Sequence, residues 1–186
     1  MEENLTQEQS LIKRIVICGP ESTGKSTLTK NLSNYFKTNY VEEFARGFLQ
    51  QKWNNKQEVC TQEDLIEIAR GQIESENLKI KNSIKSIFCD TNILTTIAWS
   101  KTHFSGYCDP WLERQAKVLK YDYYLILNTD IPWIKDDLRD SPNDREKMFI
   151  AHKLELDNLN VNYNIIDGSD FKKRFNLAVE FIKNIY

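Results

Sequence analysis

Between Gly19 and Ser26 the chain reads Gly-Pro-Glu-Ser-Thr-Gly-Lys-Ser, two glycines with four residues between them, then a lysine and a hydroxyl. Glycine allows backbone angles that turn successive N–H groups toward one anion. A helix starting at Lys25 adds its positive end to the same point. Lys25 then reaches the terminal phosphates of a nucleoside triphosphate, and the Ser26 hydroxyl takes one position on Mg²⁺. The expected nucleotide-binding set is Gly19, Glu21, Ser22, Thr23, Gly24, Lys25, Ser26 and Thr27, with the Thr23 and Thr27 hydroxyls near the phosphates. A carboxylate has to share the metal, directly or through water. Asp90 is the candidate, because it ends the apolar run "IFCD" and so faces the same sheet edge as the phosphate loop. It is also placed to cap a helix beginning near Ile93. Asp130, after "LILNT", reads as a turn or cap residue before Pro132.

Phosphate loops serve switches, motors and kinases alike, and two further stretches narrow the chemistry. In "VEEFARGF", residues 41–48, Glu43 could hold sugar hydroxyls or accept the proton of an attacking hydroxyl, and Arg46 could orient a polar group. The plain alternative is a solvated helix start. In "DIPWIKDDLRDSPNDREKM", residues 130–148, Arg139 and Arg145 lie among aspartates and prolines. Arginines on a flap can close over a transferring phosphoryl group while the flap excludes water. A surface loop with incidental arginines is the alternative.

These residues need a scaffold that brings them to one edge. Short runs rich in Ile, Val, Tyr and Phe predict strands at 14–18, near 39–42, at 86–90, 123–128 and 163–167. Their lack of polar alternation fits strands covered on both faces. Helices are expected over 25–36, 44–53, 61–83, 93–104, 110–120, 144–158 and 171–184, with Thr61 capping the third through "TQED" and Pro110 in a first turn. Strand and helix alternate, which gives an α/β fold with a parallel sheet and helices on both faces. Residues 1–12 are expected as a flexible segment and 13–186 as one domain, with a lid at about 136–147.

The formal charge of −2 argues against a nucleic-acid binder that works by general attraction to phosphates. Cys18, Cys60, Cys89 and Cys108 make no CxxC pair, and His103 and His152 are too far apart in sequence to nominate a zinc cluster. A reduced, cytoplasmic protein is the simplest expectation. The opening "MEENLTQEQS" is polar and acidic, unlike a signal peptide, and no apolar run nears the roughly 18 residues of a membrane helix.

Four stretches together, "GPESTGKST", the E-[FY]-x-R element in "EFAR", "CDTNILTT" and "DIPWIKDDLR", resemble the ribosylnicotinamide kinase domain of the NadR family and its stand-alone relatives. The matches run from about Arg14 to Arg145. The resemblance implies a P-loop nucleoside triphosphate hydrolase fold with five strands in the order 2-3-1-4-5. It also implies transfer of the ATP γ-phosphate, with Mg²⁺, to the 5′-hydroxyl of nicotinamide riboside, giving nicotinamide mononucleotide for NAD salvage. Position by position, Lys25 and Ser26 take phosphate and metal, Asp90 the metal or the acceptor hydroxyl, Glu43 and Arg46 the acceptor site, and Arg139 and Arg145 the lid. A cationic pyridinium ring calls for an aromatic face and carboxylates. Phe44 and Trp99 are the aromatic candidates, with Trp99 leading, while most other aromatics belong to the core. The chain departs from the family at Asp137, where glycine is frequent, and at Asn92, where a second aspartate is frequent. The adenylyl-transfer and DNA-binding functions of NadR are not carried over, because the chain has no room for either segment. Another nucleoside, a vitamin such as thiamine, or no small acceptor at all stay open as alternatives, as does a homo-oligomer. Guanine specificity is not expected, since "LILNTDIP" carries no N/T-K-x-D motif.

Overall fold

A computed structural model describes residues 5–135, 138 and 143–186. Five parallel strands form one sheet: β1 (Lys13–Cys18), β2 (Tyr40–Val41), β3 (Ser86–Asp90), β4 (Tyr123–Leu127) and β5 (Tyr163–Ile166), in the spatial order β2-β3-β1-β4-β5. The order implied by the family resemblance is the order found. Strand β1 lies at the centre, with Ile17 opposite Asp90 on one side and Leu125 on the other. Its C-terminal end therefore delivers Gly19 to the same edge as Asp90.

Seven helices are present among the described residues: α1 (Lys25–Phe36), α2 (Phe44–Lys56), α3 (Asp64–Ile80), α4 (Ile93–His103), α5 (Pro110–Val118), α6 (Arg145–Asn158) and α7 (Phe171–Lys183). Alternate residues of a strand point to opposite faces, and both faces are apolar here. Ile15, Ile17, Phe88, Leu125 and Ile166 pack against Leu28 and Leu32 of α1 and Ala178 and Ile182 of α7. Val16, Cys18, Ile87, Cys89 and Ile126 pack against α3, α4, α5 and α6 through Ile68, Ile97, Leu112 and Leu156. This double cover explains why the strands read as continuous apolar runs rather than alternating ones.

Several expected boundaries shift. Helix α2 continues three residues beyond Trp53, and α3 starts later than the pattern at Thr61 implies. Thr61 is not an acceptor for the helix; its backbone N–H and its hydroxyl both donate to Asp64 Oδ2, at 2.7 and 3.1 Å. Lys52 Nζ reaches the same oxygen at 2.6 Å, so the aspartate inside the first turn gathers the loop instead. Residues 5–12, read from the sequence as a flexible segment, run against α3 and α5. Leu5 N–H donates to Gln115 Oε1 at 2.8 Å, Asn77 Nδ2 donates to Thr6 O at 2.7 Å, and Arg14 Nη2 donates to Glu8 O at 2.6 Å. Among the described residues no helix is long and apolar enough to cross a membrane.

Candidate functional site

The turn from β1 into α1 is built around two glycines. Gly19 has φ +127°, and a Cβ there would lie 2.7 Å from the Leu127 carbonyl oxygen at the end of β4. Gly24 caps α1 with φ +84°. Both conformations are ones that L side chains rarely adopt. Between them Ser22 also has a positive φ of 54°, and its two polar groups are held from outside. Ser22 Oγ accepts the Ile134 N–H at 2.9 Å, and Ser22 O accepts Arg145 Nη2 at 3.3 Å. Glu21 accepts Trp133 Nε1 at 2.6 Å. Thr23 is fully buried, and its hydroxyl donates to Pro20 O at 2.8 Å. That bond braces the loop from within. Lys25 Nζ spans the loop and donates to the same Pro20 carbonyl at 2.8 Å.

Arg174 is the largest contributor to the loop that the sequence reading passed over. From the first turn of α7 it donates to Thr23 O at 2.8 Å, to Asn128 O at 2.6 Å and to Ile166 O at 3.3 Å. It thereby ties the phosphate loop to the ends of β4 and β5. Asp130, read as a turn or cap residue, joins the same cluster: its Oδ2 accepts the Gly168 N–H at 2.8 Å and lies 3.8 Å from Arg174. The sequence signal was weak, since a buried arginine in an amphipathic C-terminal helix looks like a surface residue.

Asp90 is 3% exposed and stands beside Ser26, whose hydroxyl favours its charged form. Burial and then the Glu43 carboxylate push its carboxyl up to about 7, while Lys25, Ser26 and Arg46 pull the other way. Its Oδ1 is buried with no hydrogen-bond partner among the described residues. An orphaned carboxylate oxygen beside a serine hydroxyl, with a second carboxylate nearby, fits a Mg²⁺ ion. Among the described residues no three His, Cys, Asp or Glu side chains form a metal cluster. That suits Mg²⁺, which keeps waters and phosphate oxygens as its main ligands. Asp90 is not the cap of α4. Asn92 is, with its Oδ1 accepting the Leu94 N–H at 3.1 Å while its Nδ2 donates to Tyr124 Oη at 3.1 Å.

The loop opens into a cavity of about 250 Å³. Of the residues nominated from sequence, Gly19, Glu21, Ser22, Thr23, Gly24, Lys25, Ser26, Thr27, Glu43, Arg46, Trp99 and Arg145 line it. Asp90 sits behind the lining, against Ser26. Phe44 is not in the lining. Its ring lies on Gly71 of α3, where a Cβ would be 2.2 Å from Phe44 Cζ, and it stacks with Phe48. Its ring position makes Phe44 a packing residue of the α2–α3 interface. Arg145 is only 9% exposed and donates to Ile131 O at 2.9 Å as well as to Ser22 O. It is therefore anchored to the loop rather than carried on a free flap. Arg139, Asp137 and most of the expected lid lie outside the described residues.

The rest of the lining comes from helical stripes. Thr95, Trp99 and His103 recur every four residues on α4, and Arg145, Met148 and His152 at i, i+3 and i+7 on α6, spacings that share one helix face. Leu65, Ile68 and Gln72 do the same on α3. The Trp99 and His103 rings stack at 4.1 Å, which gives the cavity a flat aromatic wall. A polar residue on the inward stripe of α6 was the available sequence signal for His152, and it was passed over.

A family model described as "AAA domain" matches residues 14–174. The chain is 27% identical over 176 residues to the trifunctional NAD biosynthesis/regulator protein NadR of Escherichia coli K12, covering 94% of this chain and 43% of that protein. The NadR of Salmonella typhimurium is 26% identical over the same extent. The chain thus spans less than half the length of the curated relatives that it matches. Among solved structures, NadR in complex with NR superposes with a TM-score of 0.76 at 19% identity, covering 94% of this chain and 52% of that one. A deoxyadenosine kinase from M. mycoides superposes at 0.66 with 13% identity, covering 92% and 99%. The resemblance read from "GPESTGKST", "EFAR", "CDTNILTT" and "DIPWIKDDLR" is the relationship that these matches find.

Proposed function

The chain belongs to the AAA domain family, and on that premise we propose that it is an ATP- and Mg²⁺-dependent small-molecule kinase whose acceptor is the 5′-hydroxyl of nicotinamide riboside. One observation carries the reading. The phosphate loop and Ser26, with Asp90 behind it, share one cavity with the Trp99–His103 wall. A switch or a simple ATPase needs a site for the nucleotide and a water; a second, aromatic-walled space in line with the γ-phosphate suits a ring-bearing acceptor. The NadR relatives, which are NAD biosynthesis/regulator proteins, favour nicotinamide riboside among such acceptors.

In this reading the loop N–H groups cradle the β- and γ-phosphates of ATP. Lys25 exchanges the Pro20 carbonyl for a phosphate oxygen, so its charge is already aimed across the loop before ATP arrives. Ser26 and Asp90 would hold Mg²⁺, which supplies neutralisation of the charge on the bridging and terminal phosphate oxygens. Glu43 borders the space between the γ-phosphate and the acceptor, where it positions the attacking hydroxyl and receives its proton. Positioning does most of the work, because phosphoryl transfer passes through a loose transition state. Arg145, fixed to the Ser22 carbonyl, stands at the phosphate end of α6 and adds positive charge to the transferring group. Trp99 offers its face to the pyridinium cation.

The test is ADP release from ATP and Mg²⁺ with nicotinamide riboside, thiamine and a panel of nucleosides, with product identified by mass. Nicotinamide mononucleotide formed well above the other products is the expected result. Preference for another compound would keep the kinase and replace the acceptor. Slow hydrolysis indifferent to every compound would overturn the kinase.

A further inference from the structure

His152 lies on α6 two turns beyond Arg145 and lines the cavity together with Trp99, Met148 and Ile68. It is 2% exposed. Its Nδ1 lies 2.8 Å from the Met148 carbonyl oxygen one turn earlier. A carbonyl can only accept, so Nδ1 carries the proton and Nε2 presents a bare lone pair. That Nε2 is buried with no hydrogen-bond partner among the described residues. Burial, with the Lys25 charge adding to it, holds the ring neutral down to about pH 4. A neutral imidazole with its donor already committed is a fixed acceptor. Leaving such a group unmatched beside apolar walls costs free energy, so a ligand that brings a donor there recovers it.

Resting on the kinase reading above, we propose that His152 Nε2 is a specificity-determining acceptor that selects nucleoside-like substrates carrying an N–H donor on the ring. For a pyridine riboside that donor is the carboxamide NH₂. The carboxylate analogue, nicotinic acid riboside, brings only lone pairs and a negative charge, and finds no donor at His152 without protonating a buried ring. Thr95, whose hydroxyl is likewise buried and unpartnered among the described residues, faces the same space from α4 and can serve either analogue, since a hydroxyl both donates and accepts. The discrimination is therefore assigned to His152.

The experiment compares kcat and KM for nicotinamide riboside and nicotinic acid riboside in the wild type, His152→Phe and His152→Gln, with thermal melts confirming folding. The wild type should prefer the amide by about a hundredfold in kcat/KM, the upper scale of leaving one buried polar group unpaired. His152→Phe keeps the ring shape and loses the lone pair; the amide's KM should rise about tenfold with a much smaller change in kcat, and the preference should collapse. His152→Gln restores an acceptor near Nε2 and can also turn its NH₂ inward. It should keep the amide within a few-fold of wild type and improve the acid. An unchanged preference in a folded His152→Phe, or a wild type that takes both ribosides equally, would overturn the assignment while leaving the kinase standing. A wild type that phosphorylates neither riboside would overturn the nicotinamide riboside reading and this inference with it.

Discussion

The two ends of the cavity are held by different chemistry. At the phosphate end the loop backbone is tied down by two arginines and a buried hydroxyl: Arg174 to Thr23 O, Arg145 to Ser22 O and Thr23 to Pro20 O. At the far end the lining side chains come from four separate helices, and two of their polar atoms, Thr95 Oγ1 and His152 Nε2, have no partner among the described residues. The first arrangement holds the loop backbone in place before any ligand binds, as transition-state stabilisation requires, and leaves Asp90 Oδ1 for a ligand to complete. The second is left for a ligand to complete, and that is where specificity is set. Changes at the phosphate end should therefore act on turnover and on loop stability, and changes at the far end on acceptor choice.

The sharpest break in that comparison is Lys25→Ala. Its Nζ bonds only to the adjacent Pro20 carbonyl on a surface-facing loop, so its removal should leave the melting temperature close to wild type. Turnover should fall by about 10²–10³-fold, the loss seen when one preorganised donor to transition-state charge is removed. KM for the acceptor should move little. Single-turnover rates alongside melts provide the measurement, and near-normal turnover would remove the loop from the mechanism.

The contrast between the ends also explains what could be read from sequence. The phosphate loop is contiguous, so eight neighbouring residues carry the whole pattern, and the apolar run into Gly19 places it on a strand. Asp90 was legible for the same reason, as the last residue of a buried strand beside β1. Phe44 was misplaced because a residue after a strand can turn either toward the site or onto a neighbouring helix. The small Gly71 on α3 decided that, from 27 positions away in the chain. Arg174 and His152 were missed because their partners come together only in three dimensions: three carbonyls from three different segments in one case, a cavity wall in the other.

Arg174→Met tests the brace directly. The variant keeps the apolar stem and leaves the carbonyls of Thr23 and Asn128 without the arginine, while Ile166 O keeps the Asn128 N–H. Breaking a buried charged network of this kind costs about 3 kcal/mol, or roughly 10 °C of melting temperature for a chain of this length. Because Thr23 sits within the loop, KM for ATP should rise in the folded fraction while acceptor preference stays as in wild type. A variant that melts with wild type would show that α7 does not support the loop.

The wall behind Gln72 depends on pH in a way that the arginine brace of the loop does not. Gln72, which lines the cavity, accepts the Phe44 N–H at 3.0 Å and stands one turn before Glu76 on α3. Glu76 is fully buried and accepts Tyr121 Oη at 3.2 Å, and burial pushes its carboxyl up to about 8. The folded protein thus keeps a proton that the unfolded chain gives up in the ordinary carboxylic range. Its contribution to stability is complete below that range and is lost as pH rises through about 8. Glu76→Gln preserves the neutral shape at every pH. The two proteins should melt close together near pH 5, and at pH 8.5 the variant should melt higher by roughly 10 °C. His152 works with the opposite sign, since its folded form resists protonation and stability falls as pH drops from the ordinary histidine range toward about 4. That acid limb is common to both proteins and cancels in their difference. A difference curve that stays flat to pH 8.5 would mean that Glu76 ionises in place, and that the wall beneath Gln72 is as indifferent to pH as the arginine brace at the other end.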